Sequence, residues 1–272
     1  MMRATLASAR KNICKILSMR LCCLLDIPVN KAVSDNKTYT KIDKPPNFWQ
    51  RYQAPILLTV VGGAIDTIGF ITLFGFFTAH VTGNLVLAGS GLVKGDDGLW
   101  IKLASVPLFI ITVVITKIYI DKSRKQERVL SHLLLAEALF LTAFMIAGLS
   151  FQPFTEAGDI SVAITGGLGL TALAIRNTAS KTLIKHMSPT VLMTGNTTQL
   201  GIELSDYLAN RTTDNAKKLG HSAALVISFV IGALLGAVLY VHLGYWAVGL
   251  FVILVLYLSL LARDSEFLQH IS

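Results

Sequence analysis

Six apolar runs, at about 54–77, 101–120, 130–150, 159–179, 221–241 and 245–262, limit this chain more than any other feature. At about 1.5 Å rise per residue, each is long enough to cross about 30 Å of hydrocarbon as a helix. Lipid offers the backbone no hydrogen-bond partners, so a spanning segment must satisfy its own N–H and C=O groups. Only 15% of the 272 residues are charged, whereas soluble domains carry about a quarter. The implied fold class is all-α: a polytopic membrane protein with six transmembrane helices.

Net charge does not redirect this reading. The chain carries +8, but ten of its 24 Lys and Arg residues precede the first run and most others sit in short loops. That distribution fits cytoplasmic retention of basic loops, and no basic and aromatic patch points to nucleic acid. Residues 1–50 are a basic, mildly amphipathic stretch followed by a polar one, expected to be partly disordered with a cytoplasmic surface helix lying on anionic lipid. An organelle transit peptide is the alternative. Cys14, Cys22 and Cys23 show no metal spacing and read as free thiols, with lipidation as the alternative. The membrane part divides into repeats at 51–150 and 151–263, with a short tail at 264–272.

Two shorter apolar stretches decide the architecture. TAHVTGNLVLAGSGL, residues 78–92, and TVLMTGNTTQLGIEL, residues 190–204, match at Thr82/Thr194, Gly83/Gly195, Asn84/Asn196, Gly89/Gly201 and Leu92/Leu204. Each follows a Gly-rich span with polar residues inside it, which sets Asp66 near the equivalent of Asn177 with a one-residue gap. If neither TGN stretch crosses, the loops DKSRKQERV, KTLIKHMSP and LANRTTDNAKKLG hold nine Lys and Arg on the cytoplasmic side, against one on the other. If both cross, the division becomes four against six. The positive-inside rule favours the first arrangement, so the TGN stretches are expected to be re-entrant.

Three crossings per half then relate the halves as inverted repeats about an axis in the membrane plane. The two TGN arms are expected to meet in the interior. There Gly83 and Gly195 would allow close backbone approach, and Thr82, Asn84, Thr194 and Asn196 would supply donors and acceptors.

GAIDTIGFITLFGFFTAHVTGNLVLAG and AIRNTASKTLIKHMSPTVLMTGNTTQL resemble the two signatures of the YoaK family, small bacterial membrane proteins grouped as a domain of unknown function. The resemblance covers about residues 54–262. It implies a protein of the bacterial inner membrane with about six helices and assigns no activity; the cytoplasmic N-terminus is expected from the loop charges. Where family members often carry Gln before the Asn of the fifth span, this chain carries Arg176.

Among ionisable residues within the spans, Asp66 is the leading candidate, expected near the bilayer centre, where an ionised carboxylate costs several kcal/mol unless it is paired or hydrated. Arg176 is the partner that the repeat suggests; snorkelling to the interface is its alternative. Glu137 and Glu203 read as helix-to-helix hydrogen bonds or interfacial groups, and His80 and His186 as interfacial histidines, with pH sensing as the alternative. Runs such as GGAIDTIG and GGLGL signal close helix packing.

Sequence patterns of soluble catalytic sites, from GxSxG to Walker A, are absent, so no catalytic residue, cofactor or metal is expected. The expected partners are the bilayer, a small polar solute or ion, and a second copy of the chain. The expected activity is transport or channelling through a polar site of Asp66, Thr82, Gly83, Asn84, Arg176, Asn177, Thr194, Gly195 and Asn196. A non-transporting scaffold in which these residues pack the helices is the alternative.

Overall fold

Hydrophobic runs without flanking strand signals become helices throughout. The computed structural model describes residues 48–95, 97–123, 126–184 and 193–264. Expectations for the basic N-terminal region, its three cysteines, His186 and nearly all of the tail fall outside these residues. The helices are α1 Phe48–Thr72, α2 Val81–Lys94, α3 Leu99–Lys122, α4 Gln126–Phe151, α5 Ile160–Leu183, α6 Met193–Ala209, α7 Thr213–Leu243 and α8 Ala247–Leu261. A 3-10 turn, Gly244–Trp246, joins the last two.

Five stretches among the described residues are long and apolar enough to cross a membrane: Tyr52–Thr72, Leu99–Lys122, Arg128–Phe151, Ile160–Leu183 and the 49-residue Thr213–Leu261. The outer faces of α3 and α7 carry exposed Ile110, Ile115, Leu234 and Val238, an apolar surface suited to lipid rather than water. The two TGN helices are too short to count among them. α2 has 14 residues and α6 has 17, lengths of about 21 and 25 Å.

Contacts between side chains fix how the helices run. Tyr52 stacks on His221, the Val60 backbone approaches Gly232 and that of Ala64 approaches Gly236, so α1 and α7 are parallel. Arg176, late in α5, reaches Leu58, while Gly166, early in α5, meets Phe76 beyond the end of α1; these two helices are antiparallel. Glu137 with Arg176 and Phe144 with Gly169 set α4 against α5. Ser131, near the start of α4, exchanges hydrogen bonds of 2.7 and 2.8 Å with Ser259, near the end of α8. Tyr245, just before α8, packs on Phe144 and on Gly148, late in α4. Hence α4 and α8 are antiparallel, and the long Thr213–Leu261 run doubles back at Gly244, whose φ of 57° is the left-handed region open to glycine.

Among the described residues the main helix pairs that pack are α1 with α7, α3 with α5, α2 with α3, α6 with α7, α4 with α5, α1 with α8, α4 with α8, α1 with α5 and α7 with α8. Exchanging α1, α2, α3 and α4 for α5, α6, α7 and α8 turns every one of these pairs except α7 with α8 into another of the set or into itself.

α1 ends earlier than its apolar run. Phe74 and Gly75 have φ of 50° and 77°, and the Gly75 N–H returns 3.0 Å to the Phe70 carbonyl, a closure that terminates a helix. Asp66 therefore stands six residues before the helix end, about 9 Å from it, nearer that end than the central depth expected from an unbroken 54–77 span.

Candidate functional site

Leu73–His80, between α1 and α2, is not helical, so its backbone groups need partners that an uninterrupted helix would not. Asp66 and Asn84 provide them. Asp66 Oδ1 accepts the Ala79 N–H at 2.6 Å and the Thr78 hydroxyl at 3.3 Å. Asn84 binds Phe77 twice: its Oδ1 accepts the Phe77 N–H and its Nδ2 donates to the Phe77 carbonyl, each at 2.8 Å. Thr78 itself sits between glycines, because a Cβ on Gly69 or Gly169 would lie 2.7 or 2.9 Å from its methyl group.

The other oxygen of Asp66, Oδ2, lies 2.6 Å from His80 Nδ1. Asp66 is buried, whereas the His80 side chain keeps 28% of its exposure. His80 is thus the accessible end of the pair. Its ring meets Phe77 and Phe229 edge-on, each with centroids 5.7 Å apart. A cavity of about 410 Å³ opens beside the pair, lined also by Thr67, Phe70, Phe77, Thr82, Gly83 and Phe229. That volume lies in the usual range of small-molecule sites, and mostly apolar walls with a few converging polar groups are their usual lining.

A model of the family described as "Protein of unknown function (DUF1275)" matches residues 54–261. The chain belongs to this family. UPF0700 transmembrane protein YoaK of Bacillus subtilis (strain 168) is 32% identical to it over 154 residues, 56% of this chain and 66% of that protein, so slightly under two thirds of the relative's length is covered. No solved structure matches. This DUF1275 member is a multi-pass transmembrane protein of a family whose function is unknown.

In this DUF1275 chain the expected composite site separates into parts. Asp66, Thr82 and Gly83 line the cavity and Asn84 secures its roof. Arg176 is elsewhere: it pairs with Glu137 with both side chains fully buried, and its Nη1 donates 2.7 Å to the Leu58 carbonyl. Asp66 takes His80 instead, because the connector turns His80 back over the end of α1 while Arg176 lies deeper along α5. Asn177 is nearly buried beside Arg176, with its Oδ1 lacking a partner among the described residues.

α2 packs chiefly on α3 and α6 on α7, so each arm is held mainly by the helix that follows it. Asn196 is buried, whereas Thr194 and Gly195 are exposed. A Cβ on Gly195 would meet nothing within 4 Å among the described residues, while one on Gly83 would strike the Phe77 ring at 2.8 Å. Close approach at Gly83 is therefore to a side chain, and at Gly195 there is none among the described residues. The physical reason is local: Asn84 satisfies a backbone seven residues upstream in its own repeat, leaving its amide no call to reach across.

Phe70, Phe77 and Phe229 were not among the expected site residues. In an apolar chain a phenylalanine carries no signal of its own; the break after Thr72 sets Phe77 against Phe70, and the packing of α1 on α7 brings in Phe229.

Proposed function

We propose that the protein is an inner-membrane transporter or channel for a small solute or ion, with its binding site in the Asp66–His80 cavity. The observation that carries this reading is a carboxylate–imidazole pair beside a cavity at a helix break. Broken helices whose freed backbone lines a cavity are a recurrent design for solute sites within membranes. Asp66 Oδ2 and His80 Nδ1 can hold a proton between them, beside walls that are mostly phenyl.

Six crossings with a cytoplasmic N-terminus and two re-entrant TGN arms accompany the proposal. Three observations support that topology: the antiparallel course of α1 against α5 and of α4 against α8, the packing pairs that, apart from α7 with α8, interchange when the halves are exchanged, and the basic loops that this topology gathers on one side. Were both arms to cross, α1 and α5 would run parallel. Single cysteines in loops 94–100 and 208–220, in a variant lacking Cys14, Cys22 and Cys23, should react with a membrane-impermeant maleimide from opposite faces, the first from the periplasm. Labelling of both from one face would overturn the topology.

Asp66→Asn tests the site. Asparagine keeps an acceptor for the Ala79 N–H but cannot carry the charge shared with His80. In liposomes under gradients of ions, organic acids and amines, the wild type should show flux to at least one class. D66N should lose it while melting near the wild-type temperature. Full flux in D66N would refute the role of the carboxylate.

The structural reading keeps one specific observation in its favour: Asp66 and Asn84 each hold the connector backbone. If the wild type moves no solute and D66N melts as low as Asp66→Ala, packing is their role and a scaffold is the better description.

A further inference from the structure

A second cavity, of about 310 Å³, lies at the other end of the bundle from the 3-10 turn, where α4 begins and α8 ends. Among the described residues its lining is Arg128, Ser131, His132 and Arg263: two guanidinium groups, a hydroxyl and an imidazole, with no carboxylate. The groups are organised rather than scattered. Arg263 Nε reaches Ser131 Oγ at 3.4 Å, and Ser131 is anchored to the Ser259 carbonyl at 2.7 Å, which ties the guanidinium of one helix to the start of another. His132 Nδ1 meets the Tyr119 hydroxyl at 2.8 Å. Where the Tyr119 hydroxyl donates to Nδ1, Nε2 carries the ring proton and is a donor. Ser131 gives its hydroxyl proton to the Ser259 carbonyl, so the donors left to the cavity are led by two planar cations, which call for an oxyanion.

Depth narrows the ligand. Arg128 is the first residue of one candidate span, and Arg263 lies two residues beyond the last residue of another. Both therefore stand where apolar helix gives way to polar loop, the level of lipid headgroups. Arg128 itself belongs to the DKSRKQERV stretch, which carries three further Lys and Arg in sequence. Basic pockets between membrane helices at this level suit phosphate-bearing head groups. We propose that this pocket binds a phosphate group through Arg128 and Arg263 beside His132, with Ser131 holding Arg263 in place, the phosphate being carried by an anionic phospholipid or present as free phosphate.

Native mass spectrometry of the full-length protein in detergent, mixed with phosphatidylglycerol or phosphatidylcholine, provides the first arm, and thermal shift with inorganic phosphate against chloride the second. The wild type should retain phosphatidylglycerol over phosphatidylcholine, or gain thermal protection from phosphate. The first result identifies a lipid headgroup and the second a soluble anion; either supports the pocket. Arg128→Gln with Arg263→Gln should reduce that binding about tenfold or more, the scale of losing charged donors. Arg211→Gln with Lys217→Gln removes the same charge on another loop and should leave it unchanged. Arg128 is exposed, so R128Q alone should fold and show a several-fold loss even if the double variant does not. Binding by R128Q equal to wild type, or a wild type that prefers neither phosphatidylglycerol nor phosphate, would overturn the proposal.

Discussion

Glu137→Ala is expected to be among the most destabilising single changes in this protein. Arg176 and Glu137 face each other with no exposed surface on either side chain, and Arg176 also donates to the Leu58 carbonyl. One residue thus ties α5 to both α4 and α1. Removing one member of a buried pair leaves an uncompensated charge, at a cost of about 3–5 kcal/mol. Replacing both with apolar groups of similar size removes the desolvation penalty together with the attraction, and such swaps are often neutral or stabilising. Glu137→Ala and Arg176→Ala should each lower the unfolding midpoint in detergent strongly, and Glu137→Leu combined with Arg176→Met should recover most of the loss. A Glu137→Ala protein that melts like the wild type would show that the pair holds nothing together.

The second large effect is expected at Gly232. A Cβ built there falls onto the Val60 carbonyl, one on Gly236 comes within 2.6 Å of the Ala64 oxygen, and one on Gly63 within 2.5 Å of the Phe229 oxygen. All three neighbours are backbone, which cannot swing aside as a side-chain tip can. α1 and α7 therefore touch main chain to main chain over the GALLG segment, the small-xxx-small arrangement that packs helices in lipid. Gly232→Leu must push the two helices apart. Overpacking costs about 1–3 kcal/mol where side chains can adjust, and rigid backbone on both sides puts this site at or above the upper end. Gly195→Ala and Gly201→Ala, where a Cβ meets open space among the described residues, should change stability by less than about 0.5 kcal/mol. Thermal unfolding of the three variants side by side checks the contrast, and a Gly232→Leu midpoint no lower than that of Gly201→Ala would contradict it.

These two sites also mark how far reading residues in order could reach. Apolar run length was enough to establish an all-helical membrane protein, because lipid allows a long apolar backbone so few forms. The paired TGN motifs suggested a repeat, and Asp66 stood out because a carboxylate in an apolar run needs a partner. Which partner it takes was not legible. Symmetry between the halves suggested Arg176, but pairing depends on where a helix stops, and α1 stops at Thr72 because Phe74 and Gly75 turn left-handed. That stop folds His80 back onto Asp66, frees the Phe77 backbone for Asn84 and leaves Arg176 to Glu137. The close contact at Gly232 was equally hidden: a glycine pair four apart is common in apolar helices, and only the partner helix shows which pair is used. Local sequence determined helix existence, approximate length and the need of each polar group for a partner, since these are properties of a segment in lipid. The choice among partners was left to the tertiary structure, because it depends on distances between segments far apart in the chain.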